Sequence, residues 1–240
     1  MKDLQFDQQN IVDNGFTIIH DVYTPDELQQ ITAGLEAIDP ANPNFRKTKD
    51  LFAIRQFFKE IPAIVPLVFN NNLHTLIGEL FGDDYFIVKS IYFDKPGNSN
   101  WFVAYHQDLT ISVDKKLDLP GYGPWTIKHN QFAVQPLLSI LEDNFTIRIH
   151  LDDTDADNGA LKIIPQSHSK GEYRADTINW DNETEATCTV KAGGIMIMKP
   201  LLLHASNRTI NGNNRRVIHV EFSRSVLPDG LEWAEKLLIV

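Results

Sequence analysis

The pattern of apolar and polar positions changes character near residue 84. Ahead of it the chain reads mostly as helix. Gly15–His20 (Gly-Phe-Thr-Ile-Ile-His) is a short strand-like run, and Thr24-Pro25-Asp26-Glu27 follows it. A capping residue, a proline at the first helical position and acids in the first turn predict a helix to about Ile38. Asp39-Pro40 and Asn42-Pro43 mark a loop. Ala63–Phe81 is mostly apolar at helical spacing and predicts a second helix, closed by the turn Gly82-Asp83-Asp84. Beyond it, short apolar or alternating runs are separated by turn residues: Tyr85–Phe93, Trp101–His106, Phe145–Leu151, Leu161–Pro165, Thr187–Val190, Gly194–Met198 and Arg215–Phe222. Strands at this density predict a mainly β core with flanking helices packed on one outer face of the sheets.

One long segment, Ser112–Glu142, interrupts the strands and contains Leu119-Pro120-Gly121-Tyr122-Gly123-Pro124-Trp125. Connections of this length are usually functional, and its aromatic and proline content predicts an ordered lid. With 240 residues and 42% hydrophobic content, the reading is one domain, 1–240. Residues 1–84 form its helical N-terminal part and 112–142 an insertion.

Charge and cysteine content narrow the function classes. The formal net charge is −10 with no Lys/Arg cluster, so no nucleic-acid partner is expected; a local basic pocket for one carboxylate remains compatible. Cys188 is the single cysteine, which excludes an intramolecular disulfide and fits a reducing compartment such as the cytoplasm. Met1–Asn14 is polar and unlike a signal peptide, and no stretch approaches a membrane span. A soluble protein acting on a small molecule, with no membrane partner, is expected.

The best chemical signal is Tyr105-His106-Gln107-Asp108. Residues two apart on a strand share a face, roughly 7 Å apart at Cα. An imidazole and a carboxylate on one face supply two-thirds of the 2-His-1-carboxylate triad that holds non-haem iron(II) with open positions. A surface His-Asp pair would have the same spacing. His204 closes the apolar run Gly193–Leu203. There it is either a third ligand or a core histidine satisfied by a carbonyl, since a buried ring needs a partner. Arg215 opens a strand after the turn-rich Asn211–Asn214, sharing a face with Val217 and His219. A guanidinium there suits a carboxylate held by two hydrogen bonds. Arg216 is the inward residue if the strand starts one residue later, and a surface ion pair is the plain alternative.

In order and spacing these pieces resemble the phytanoyl-CoA dioxygenase family, a branch of the iron(II)/2-oxoglutarate oxygenases. The resemblance runs from Gly15–Ile19 and Thr24–Leu28 through Asp94-Lys95-Pro96, His106–Leu109, His150–Asp155, Asn158-Gly159 and Ile164–His168 to His204–Asn207 and Arg215. It implies a double-stranded β-helix, a cupin-like jelly roll. It further implies Fe(II) on His106, Asp108 and His204, with 2-oxoglutarate and O2 as co-substrates, and catalysis at that triad. Arg215 falls on the position that binds the 2-oxoglutarate C5 carboxylate, and Ser206 on a hydroxyl that assists it. His168 lies in a family motif and reads as structural. In related halogenases the carboxylate is missing, so Asp108 points to hydroxylation rather than halogenation.

One position departs from the pattern. Thr146, Arg148 and His150 share a strand face, and the family commonly has a neutral or aromatic residue where Arg148 stands. Arg148 is expected either to meet the co-substrate or an anionic group of the substrate, or to form a buried ion pair with Asp152 or another acid. Trp125, His129, Gln135 and His150 are the substrate-site candidates, although Trp125 could simply pack the lid onto the barrel. The competing functions are a non-oxidative cupin-type enzyme, which has no use for Arg215 and Ser206, and an inactive binding module of the same fold, which has no use for three converging ligands. The substrate itself has no signature in the chain.

Overall fold

The computed structural model describes residues 4–39, 42, 45–128 and 131–238. Pro40 and Pro43 of the expected loop, and His129, lie outside them. The chain opens with α1 (Gln5–Asn14), β1 (Phe16–Ile19), α2 (Pro25–Glu36) and the short strands β2 (Arg46–Lys47) and β3 (Phe52–Arg55). Three helices follow, α3 (Phe57–Glu60), α4 (Val65–Val68) and α5 (Asn71–Phe81), then β4 (Phe86–Lys95), β5 (Val103–His106), β6 (Ile111–Val113), β7 (Trp125–Lys128) and β8 (Gln131–Val134). After α6 (Leu138–Asp143) come β9 (Phe145–His150), β10 (Leu161–Ile163), β11 (Ala186–Cys188), β12 (Ile195–Met198), β13 (His204–Ser206), β14 (Arg215–Ser223) and β15 (Leu237–Leu238).

A large sheet runs in the order β1-β12-β9-β14-β4-β3-β2, with β15 also on β4, and faces a four-stranded sheet, β11-β10-β13-β5. The alternation of β9 and β14 assigns the two faces of the large sheet. Ile147, Ile149, Ile218, Val220 and Phe222 point to the helical layer, where they join Ile31, Leu35, Ile64, Leu73 and Ile77 in one buried cluster. Phe145 lies between Phe81 and Phe222, with ring centroids 3.6 and 4.7 Å away. The other face looks between the sheets and carries Arg148, His219 and Glu221. Met196, Met198, Leu161, Ile163 and Cys188 fill the rest of that interior.

The helix α2 starts as expected. Thr24 accepts from the Glu27 backbone at 3.3 Å, and Glu27 accepts from the Thr24 backbone at 2.8 Å. The expected helix over Ala63–Phe81 is broken at Phe69–Asn70, because Asn70 caps a new helix. Its side chain accepts from Leu73 N and donates to Glu27 of α2. The polar α1 was not legible, since only Asp7 and Ile11 of it are buried. The 112–142 segment is more regular than expected: β6-β8-β7 form a three-stranded sheet that packs Ile111, Val113, Val134, Leu141 and Trp233 into a separate cluster. The run ahead of His204 is not one strand. It ends at Met198, turns at Lys199–Leu202, and His204 opens a strand of the smaller sheet. Among the described residues no helix is long and apolar enough to cross a membrane.

Candidate metal centre

His106 ends β5 and His204 begins β13, and the two are direct cross-strand partners with ring centroids 4.2 Å apart. Each ring is fixed in the same way. Nδ1 of His106 bonds the Ala104 carbonyl at 2.9 Å, and Nδ1 of His204 bonds the Leu202 carbonyl at 2.9 Å. A proton on Nδ1 leaves Nε2 with its lone pair free, the form that ligates a metal. Asp108 is not on the strand with His106, as its spacing had predicted, but in the loop just beyond it. Its backbone N–H donates to the Pro200 carbonyl at 2.9 Å. Gln107 pins the same loop: its amide donates to the Gly171 and Leu201 carbonyls at 2.8 and 2.6 Å and accepts from Tyr173 N at 2.8 Å. That role was not visible in the sequence, because all three partners are remote backbone groups.

The Asp108 carboxylate comes within 3.9 Å of His106 Nε2 and 3.8 Å of His204 Nε2, and one ligand atom from each of the three residues lies within 4.8 Å of the others. Asp108 Oδ2 is buried without a hydrogen-bond partner. A buried charged oxygen left unpaired is costly, and a cation among these three side chains removes the cost. Burial pushes His204 down to about 4, against the opposing pull of Asp108, so the ring is neutral and able to ligate near neutral pH. Burial would raise the Asp108 carboxyl, but His204, His219, Lys89 and His106 together bring it down to about 2. The donor set fits a divalent ion of the iron(II) type.

The three side chains open on a cavity of about 480 Å³, whose walls include Arg148, Ser206 and Arg215. Arg215 is 4% exposed, and its Nε and Nη1 have no partner. Burial, and then the charge of Arg148, push it down to about 9. It is the inward arginine of the pair: Arg216 points the other way and forks onto Asp152 at 2.9 and 2.7 Å. Asp152 is therefore not a partner for Arg148. Arg148 donates instead to His219 Nδ1 at 3.1 Å, and its Nε is unpartnered. His219 bonds Glu221 at 3.1 Å, and Lys89 bonds Glu221 at 2.8 Å. Of this buried polar row the sequence reading had Arg148 and the placement of His219 on the Arg215 face, and missed Glu221 and Lys89. The same alternation along β14 brings Glu221 there.

The remaining candidates lie elsewhere. His150 sits behind the cavity, 3% exposed, with Nδ1 on Thr154 Oγ1 at 2.8 Å and Nε2 unpartnered. Trp125, on β7, packs against the lid cluster. Gln135 donates to Glu172 at 2.5 Å. Neither Trp125 nor Gln135 is a wall of the cavity. His168 bonds the Val12 carbonyl at 3.1 Å, under the turn at Gly15, and is not a wall of the triad's cavity.

The phytanoyl-CoA dioxygenase (PhyH) family pattern matches residues 11–217. No curated protein matches the chain in sequence. Among solved structures, EctD from S. alaskensis superposes with a TM-score of 0.70 at 18% identity, covering 91% of this chain and 76% of that one. HygX from Streptomyces hygroscopicus, solved with nickel, 2-oxoglutarate and hygromycin B, gives 0.64 at 14%, covering 91% and 86%. The alpha-ketoglutarate-dependent epimerase SnoN of nogalamycin biosynthesis gives 0.68 at 14%, covering 92% and 82%. At these identities the likeness speaks for the fold, the double-stranded β-helix of such oxygenases. The family match spans most of the chain, and the chain belongs to the phytanoyl-CoA dioxygenase family of iron(II)/2-oxoglutarate-dependent oxygenases.

Proposed function

We propose that the chain is a 2-oxoglutarate-dependent dioxygenase that hydroxylates a small molecule, with His106, Asp108 and His204 as the iron(II) ligands. The observation that carries this reading is the convergence of two free imidazole Nε2 atoms on a carboxylate with a buried, unpartnered oxygen. Bound iron(II) supplies dioxygen activation coupled to the oxidative decarboxylation of 2-oxoglutarate to succinate and carbon dioxide.

The protein's part is to hold and to exclude. Ala104 and Leu202 fix the ring tautomers, and Gln107 and Pro200 fix the carboxylate. Arg215 offers two unpaired N–H groups to the distal carboxylate of 2-oxoglutarate, with Ser206 on the same wall. Arg148 adds a second guanidinium for the co-substrate's other charge, held in line by His219. Asp108 fills the position that a halide would need. The fold alone leaves the outcome open, since a structural neighbour is an epimerase that uses the same co-substrate.

The test is succinate release from 2-oxoglutarate by purified protein with iron(II), ascorbate and air, beside His204→Ala, with anaerobic absorbance of the iron–2-oxoglutarate chelate recorded in parallel. Slow succinate release and a chelate band, both lost in His204→Ala, are expected. Absence of both from the unaltered protein would reject the oxygenase reading.

A further inference from the structure

Five cationic side chains face the cavity, Arg46, Arg55, Lys89, Arg148 and Arg215, against two carboxylates, Asp108 and Glu221. This is a concentrated positive field inside a chain of formal net charge −10. Lys89 and Glu221 satisfy each other. Asp108 belongs to the metal triad, and the two deep arginines are accounted for by a dianionic co-substrate. Arg46 and Arg55 are left. Their backbones pair in the sheet, but among the described residues neither side chain has a hydrogen bond or an ion pair.

Their placement is built rather than accidental. Along β3 the alternation turns Ala53 and Arg55 to the cavity, Leu51 just ahead of the strand joins them, and Arg46 is the cross-strand partner of Ala53. Both guanidinium groups therefore stand on one face of the β2–β3 hairpin. The loop at its tip is tied down: Ser99 Oγ donates to the Asp50 carbonyl at 2.7 Å, and Asn100 N donates to Asp50 Oδ1 at 2.9 Å. Arg46 stands opposite Ala53, two residues from Arg55 on the same face, and partial burial and then the charge of Arg46 lower the pKa of Arg55 against the weaker opposing pull of Glu221. Two like charges held together on an anchored hairpin gain from an anion between them. An apolar wall, Ile91, Phe93, Trp101 and Val103, lines the same cavity. The Phe93 and Trp101 rings are nearly parallel, 6.5 Å apart at 29°.

We infer that the substrate is a compact organic acid, its carboxylate, phosphate or sulfate held by Arg46 and Arg55 and its apolar or aromatic body against Phe93 and Trp101. This rests on the oxygenase reading, which makes the triad end of the cavity the place of reaction. The anion fixes one end of the substrate at the hairpin, so the carbon presented to the triad is one on the apolar body, away from the acid group. The pair thereby sets both selection and regiochemistry.

The experiment is calorimetric titration of the protein loaded with nickel(II) and 2-oxoglutarate. The probes are 3-phenylpropionate and phenyl phosphate, each beside a neutral analogue, 3-phenylpropionamide and dimethyl phenyl phosphate. At least one acid is expected to bind about tenfold or more tightly than its neutral analogue, the scale of a charge-assisted contact. The double variant Arg46→Gln/Arg55→Gln should erase that preference while the 2-oxoglutarate chelate still forms, which also certifies its fold. Acids that bind no better than their neutral analogues, or a preference that survives the double substitution, would overturn the inference. Loss of the chelate from the unaltered protein would instead strike the oxygenase reading, so the two failures are told apart.

Discussion

Arg148 brings a permanent charge into an interior where its one protein partner is a histidine nitrogen. Removing a guanidinium from water costs several kcal/mol unless an anion meets it, and burial pushes Arg148 down to about 10. The carboxylate that acts on it is Asp108 of the triad, while Asp152 is engaged with Arg216 and Glu221 with Lys89. No acid forms a hydrogen bond or ion pair with it among the described residues, and its Nε is left open, which on the proposed reading is filled by the co-substrate. Replacing Arg148 with Met, a volume-conserving change that removes the charge, should weaken 2-oxoglutarate binding to the iron(II) protein about tenfold, the scale of one charge-assisted contact. Anaerobic titration followed by the chelate absorbance reads it, and an unchanged affinity would take Arg148 out of the co-substrate site. At this scale the sequence was informative where chemistry is carried by residue type. His106, Asp108, His204, Ser206, Arg148 and Arg215 are all brought to one cavity. It was silent on Gln107, Lys89 and Glu221, whose partners are up to 132 residues away. Trp125 and Gln135 were singled out for their side chains in a long connection; Trp125 instead follows the packing alternative, joining a cluster that ties the connection to Phe86 and Val88 of β4.

Elements position these side chains, and the elements were legible where their boundaries are local. The proline and acids after Thr24 announced α2, and the alternation in β9 and β14 sorted their residues into two faces, leaving open whether Arg215 or Arg216 turns inward. Asn70 could not be told from a polar residue in a long helix: its capping bond to Leu73 N is local, but the amide nitrogen that anchors it there reaches Glu27 and Val22 of a distant segment. The β2–β3 hairpin was missed for a related reason. Two paired residues on one side are too few for a period, and the hairpin exists by docking on β4. The connection that delivers Arg215 is another tertiary feature. Gly97, just past β4, lies against the turn before β14, its N–H donating to Asn214 Oδ1 at 2.8 Å. A Cβ built there would stand 1.9 Å from the Gly212 carbonyl oxygen. Gly97→Ala must therefore push the turn away, at about 1–3 kcal/mol for overpacking, and Arg215 begins only three residues after Gly212. A lower urea midpoint together with weaker 2-oxoglutarate binding is expected. An alanine variant as stable as the parent would mean that the turn yields freely and does not hold Arg215.

The whole molecule combines an acidic exterior with a positively charged interior that its own side chains leave unsatisfied. Asp108 Oδ2, His150 Nε2, Arg148 Nε and two nitrogens of Arg215 are buried without partners, a concentration of orphaned polar atoms that a jelly roll formed only for packing would not keep. The jelly roll tolerates it because the apolar clusters on the helical side and under the lid are separate from the cavity. Stability should then rise with loading in a definite order. On the proposed reading the metal binds the triad only in the folded chain and 2-oxoglutarate meets both the metal and the deep arginines, so each should stabilise by mass action. A ligand at about a hundredfold its Kd adds about 2.7 kcal/mol. For a chain of this size that is on the order of 5–10 °C in Tm. The chelator-treated protein should melt lowest, nickel(II) should raise Tm, and 2-oxoglutarate should raise it further with nickel(II) present but much less without it. In His204→Ala the dependence of the 2-oxoglutarate increment on metal should vanish, leaving only the small gain from the arginines. A Tm that is the same with chelator as with nickel(II) and 2-oxoglutarate would mean that the converging ligands bind neither, and that the orphaned atoms are satisfied by something other than the oxygenase's metal and co-substrate.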